Sequence, residues 1–223
     1  MTKFIGNVII QENDKSGEIL TDACPVCGDD MYLRNFEKHF TLFDKPLFRL
    51  ASIDTFYQCD ACKSSYNTSL KDLVKLDDQK KELKFQEAGK LYAKALIAAM
   101  TYMAIIDGDL DEKEQLNLHA IIGKYSNISD ELIDTMDYVK RNGNKDDYVY
   151  HLLRKVHKVL SVESVLALLT KAVQMIVADG QMKKEEIMLI NAFLLASGLP
   201  KDLYKTLLEK IKIALWTKEN VPF

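Results

Sequence analysis

The chain has 223 residues, 48% hydrophobic and 28% charged, with a formal net charge of −3. That balance excludes a disordered or fibrous chain and fits a globular protein of one large or two modest domains. It also excludes an overall basic field, so contact with nucleic acid or anionic lipid would have to rest on a local patch.

The opening residues, MTKFIGNVIIQEND, hold no signal-type apolar run. The longest apolar stretch, Ala95 to Ile106, falls short of the ~20 residues that a bilayer-spanning helix needs. A cytoplasmic protein with no transmembrane segment is expected; attachment to a peripheral membrane complex through a partner is compatible with this.

Residues 1–75 read as a small β-rich domain. FIGNVII and TFYQC are strand candidates, and aromatic residues are dense between them. All four cysteines lie here, as CPVC (Cys24, Cys27) and CDAC (Cys59, Cys62), with 31 residues between the pairs. Clustered pairs in a chain without a signal peptide point to a metal rather than to disulfides. A redox CxxC would open a helix in a βαβ pattern, which is absent. Zn²⁺ favours four thiolates in a tetrahedron, and one CxxC turn brings two sulfurs ~3.5–4 Å apart. The intervening segment has room for a strand, a loop and a strand. Four ligands leave no open position, so this zinc would be structural. Gly28, just after Cys27, suits the positive φ of a metal knuckle. His39 could replace a ligand but is expected to be an ordinary surface or core residue. From Cys24 to Tyr66 the segment resembles a zinc-ribbon family with a Phe-Thr-Leu-Phe and Pro-Leu element between two CxxC knuckles, here FTLFDKPLF. Asp44-Lys45 departs from its apolar loop.

Residues 76–90, LDDQKKELKFQEAGK, form a charged linker or helix start. Beyond it the pattern is helical, with breaks at Asp107-Gly108, Ser126 to Ser129, Arg141 to Lys145 (with the turn signal Asn142-Gly143-Asn144), Ser161, Asp179-Gly180 and Gly198-Leu199-Pro200. The helical part repeats itself. Asp107 pairs with Asp179, Gly108 with Gly180, Leu110 with Met182 and Glu114 with Glu186, always 72 residues apart. DGxLxxxE matches the second half of an EF-hand loop. The earlier ligand positions, however, hold Met103 and Ile105, or Met175 and Val177, which cannot bind Ca²⁺.

IIDGDLDEKE and VADGQMKKEE instead resemble the TerB (tellurite-resistance) family and the related N-terminal domain of DjlA co-chaperones. The resemblance implies an all-α domain over 91–218, built of two helical-hairpin repeats, and a role in stress response. On matched positions it also implies a divalent-cation site at Asp107, Glu114, Asp179 and Glu186. Hard oxygen ligands would favour Ca²⁺ or Mg²⁺. A simpler reading stands beside it: Asp-Gly is a helix stop, and Asp111 with Glu114 is a capping box. Lys183 takes the cap position in the second copy, so Glu186 is less well explained that way.

No GxSxG, Walker loop, GxGxxG or HExxH motif is present, so no enzyme is expected. The expected function is a metal-binding stress-response scaffold whose zinc ribbon docks other proteins. The first rival is a zinc-ribbon nucleic-acid-binding regulator. Nine basic against eleven acidic residues over 1–75 do not favour it. The second rival is a metal-dependent hydrolase using the repeat carboxylates.

Overall fold

The structure, a computed structural model, describes residues 5–43, 45–106, 108, 110, 112–143, 147–176, 184–199, 203–204, 206–207 and 209. The chain divides into two compact units. The first is Met1–Phe85 with Val159–Ser164, and the second is Gln86–Lys158 with Val165–Phe223.

The first unit is an antiparallel sheet of β1 (Ile5–Asn13), β2 (Ile19–Leu20), β3 (Met31–Leu42), β4 (Lys45–Cys59) and β5 (Ser65–Asn67). The order is β1-β3-β4-β5, with β2 also pairing β3. The 31 residues between the cysteine pairs thus form a hairpin, as the spacing predicts. β4 has 15 residues against 12 in β3. The surplus is absorbed in three register shifts, which leave Ile53, Leu50 and Leu47 without an opposite residue on β3. Each is a bulge, which bends and twists the strand. Near the cysteines, period-two alternation places Leu33 opposite Tyr57 and Met31 opposite Cys59. Met31, Tyr57, Cys59, Cys24 and Leu70 are buried together, with Leu33, Tyr66, Val74 and Phe85 packed against them. Leu70 comes from a short helix, α1 (Leu70–Leu73).

Val159–Ser164 joins this unit through an antiparallel bridge of Leu160 to Tyr66. Ser161 Oγ lies 2.7 Å from Ser65 Oγ and accepts the Ser164 N–H at 3.2 Å. Asp54 Oδ2 accepts the Val162 N–H at 3.0 Å. Ser161 and Asp54 thereby satisfy two backbone donors that the start of a helix leaves free.

Helix α2 (Asp78–Ala104) runs straight through the predicted linker at 76–90, and the division between units falls at Phe85/Gln86. There follow α3 (Glu112–Ile122), a 3-10 segment (Gly123–Ile128), α4 (Ser129–Asn142), α5 (Tyr148–Val159), α6 (Val162–Ile176) and α7 (Lys184–Ala196), which lie in the second unit apart from Val159 of α5 and residues 162–164 of α6. Ala95–Ala104 is buried on every side. A stretch apolar all round is a central helix, and its alanines admit close neighbours. Tyr102, Tyr150 and Phe193 form an aromatic cluster with centroids 5.8–6.2 Å apart. Lys90 and Lys94 of α2 both pair with Glu131 of α4. Gly198, at φ +75, closes α7 with Leu199 N–H donating to Leu194 O at 3.0 Å. Among the described residues no helix is long and apolar enough to cross a membrane.

Candidate metal centre

Two backbone knuckles bring the four cysteines together. In the first, Cys24 N–H donates to Asp29 O at 2.9 Å and Gly28 N–H to Cys24 O at 2.9 Å. In the second, Cys59 N–H donates to Ser64 O at 3.0 Å and Lys63 N–H to Cys59 O at 3.1 Å. The residue after each second cysteine turns to positive φ: +76 at Gly28 and +62 at Lys63.

All four Sγ atoms lie within 4.8 Å of one another. Cys24 to Cys62 and Cys27 to Cys59 are each 3.5 Å, so neither contact is a disulfide. Zn–S bonds of ~2.3 Å in a tetrahedron separate sulfurs by ~3.8 Å. The donor set is compatible with a tetrahedral zinc site. Cys24 and Cys59 are buried, whereas Cys27 and Cys62 are exposed.

Ser64 Oγ lies 3.0 Å from Cys62 Sγ and 3.3 Å from Cys24 Sγ, placed to donate to either thiolate. Burial opposes ionisation of Cys24. The Ser64 hydroxyl and the backbone N–H groups of Cys27 and Val26 nevertheless bring its thiol down to about 6. Tyr66 is pushed up to about 12, by burial first and then by the charges of Cys24 and Cys62. These hydrogen bonds favour the thiolate of Cys24, the form that binds metal, whereas burial pushes the Cys59 thiol up.

His39 lies apart from the sulfurs, in a polar group with Glu37 and Glu12 on the sheet. Glu37 and His39 alternate onto one face of β3, a period-two signal that is present in the sequence but belongs to no ligand motif. Arg49 Nη1 donates to Glu37 Oε1 at 2.7 Å, and His39 Nε2 faces Glu37 Oε2 at 3.2 Å. The Arg49 hydrogen bond holds the Glu37 carboxyl below its usual range, against burial, with help from His39. With its charge already balanced by a guanidinium, this group is an ion-pair network rather than a second cation site.

Of the four repeat carboxylates, Asp107 and Asp179 lie outside the described residues, as does the cap residue Asp111. Glu114 is in the first turn of α3 and half-buried, and Glu186 is in the first turn of α7 and 3% exposed. Among the described residues neither joins a group of three ligands.

The family model described as Tellurite resistance protein TerB matches residues 93–207. The chain belongs to the TerB family. The match spans both Asp-Gly repeats, from within α2 to beyond α7, and leaves the cysteine-bearing sheet outside the TerB region. No curated protein and no solved structure matches the chain.

Proposed function

We propose that this TerB-family chain is a non-enzymatic, metal-binding scaffold of a tellurite-type stress response in the cytoplasm. Zinc held by Cys24, Cys27, Cys59 and Cys62 would brace the sheet as a docking module for another protein. The observation that carries this reading is four sulfurs within 4.8 Å of one another in the same chain as a TerB unit. Four thiolates fill the zinc sphere, so the ion would supply folding free energy and no open site for chemistry. The absence of any hydrolase or nucleotide motif supports a scaffold over an enzyme. A second ion, Ca²⁺ or Mg²⁺, would be shared by Asp107, Glu114, Asp179 and Glu186; the family resemblance and the burial of Glu186 support it.

The test is survival of a tellurite-sensitive host expressing the chain. Wild type is expected to raise tolerance and Cys24→Ser/Cys59→Ser to lose that gain at equal expression. A chain that leaves tolerance unchanged, or one whose cysteine variant protects equally, contradicts the reading.

A further inference from the structure

Two long stretches of the sheet's edge are treated differently by the sequence. Where β5 does not cover β4, at 45–55, the ladder is broken by three register shifts, and the strand carries Lys45, Pro46 and Arg49. Bulges, proline and cations are the ordinary means of keeping a further strand away. β1, on the opposite side, has none of them. Its nine residues, IGNVIIQEN, pair with β3 without a register shift, and hold no proline, lysine or arginine. Among the described residues no strand pairs with its outer side. Every second residue of such a strand turns its N–H and C=O outward, and an unpaired row of that kind is a template for another strand.

The sequence of β1 is matched to itself. An antiparallel copy centred on Ile9 places Ile9 opposite Ile9, Val8 opposite Ile10 and Asn7 opposite Gln11. Apolar side chains then meet apolar ones, and amide meets amide. Gln11 Nε2 donates to Gln58 Oε1 at 2.6 Å, so its own Oε1 is placed to accept from the exposed Asn7 of the copy. Glu12, the one charged residue of β1, falls opposite Gly6, and no like charges face each other. A register one step away in either direction would set Asn7 against Ile10 or Val8 against Gln11.

Val8, Ile9 and Ile10 are half-buried in the single chain, so a second strand has apolar surface to cover. Four or five outward residues on each strand would give about eight to ten hydrogen bonds between the chains, close to the ~10 of a typical stable interface. We propose that two copies of the chain join through β1, antiparallel about Ile9, into one sheet continuous across both.

The experiment is sedimentation equilibrium of the whole chain, with cysteine cross-linking as a second reading. At about 0.1 mM the chain should weigh twice its 25.5 kDa. Ile9→Lys sets two ammonium groups against each other at the centre of the pair and should weaken the dimer by about tenfold or more. Ile9→Cys is the gentler change. The Cα atoms of an opposed pair lie ~4.5–5.5 Å apart, within reach of a disulfide. In glutathione disulfide, Ile9→Cys should cross-link to its copy about tenfold faster than Asn7→Cys, whose copies would stand four residues, or ~13 Å, apart along the strands. If Ile9→Lys melts below the parent chain, the cross-link decides alone. A monomer at about 0.1 mM overturns the proposal and reassigns the edge to a strand of another protein. So does a dimer that a stably folded Ile9→Lys leaves intact, or one in which Asn7→Cys cross-links as fast as Ile9→Cys.

Discussion

Lys63 stands where the second knuckle turns to φ +62, the position that Gly28 fills in the first. Gly28 was legible because a glycine after CxxC announces the turn. Lys63 was not, because a lysine there gives no such sign and is held by its N–H bond to Cys59 O. A left-handed non-glycine residue costs about 1–2 kcal/mol, partly offset by the greater freedom of glycine in the unfolded chain. Lys63→Gly should therefore raise stability by up to about 1 kcal/mol, and Gly28→Ala should lower it by about 1–2 kcal/mol. Urea denaturation of the metal-loaded proteins checks both signs. Asp14 gives a second test. Hydrogen bonds from the Ser16 hydroxyl, Asn35 and the Ser16 N–H hold its carboxyl at about 2, below the ordinary 3.8. A depressed carboxylate stabilises the fold above its ordinary range. That contribution is lost as pH falls from 3.8 through about 2. At about pH 4, where an ordinary aspartate is partly protonated, the Asp14 carboxyl resonance should still be that of the ionised form. Asn35→Ala should shift its titration upward; a carboxyl that titrates normally in the parent protein would contradict the assignment.

At the scale of elements, the hairpin between the cysteine pairs follows from spacing alone, but its bulges do not. Leu47, Leu50 and Ile53 recur every third residue, which in a sequence reads as a helical face and hides a strand. The return of Val159–Ser164 to the sheet was likewise hidden, because those residues look like any helix-helix junction. That junction is testable. Ser161→Ala and Asp54→Ala should each cost about 1 kcal/mol, the worth of a helix N-cap, in urea denaturation. Effects no larger than those of surface substitutions would count against the clamp. Gly143 is a different kind of glycine. It ends α4 with a helical φ of −50, so the Asn-Gly turn signal gives the right place for the wrong reason. An added Cβ would sit 2.8 Å from Val139 O and 3.0 Å from Tyr102 Cδ2. Gly143→Ala should cost about 1–3 kcal/mol through overpacking beside the aromatic cluster.

For the molecule as a whole, the two cysteine pairs and the two Asp-Gly repeats carried most of the legible information. The first pointed to the sulfur cluster and the second to the TerB family. Composition described neither, because a count over the whole chain does not register spacing. The proposed carboxylate ion predicts a melting temperature that rises in millimolar Ca²⁺ or Mg²⁺. Ligand at a hundred times its dissociation constant adds ~2.7 kcal/mol, and Asp179→Ala should abolish that gain. A melt that ignores both cations leaves the repeats as helix punctuation. The central claim is zinc at the four cysteines, and elemental analysis with thiol titration tests it most directly. The account predicts one zinc per chain, no disulfide, and release of four titratable thiols when a chelator removes the metal. Cys59→Ser should lose the zinc and the sheet's cooperative unfolding transition while keeping helical circular dichroism. A protein purified with no zinc and with its cysteines paired as disulfides would contradict the account.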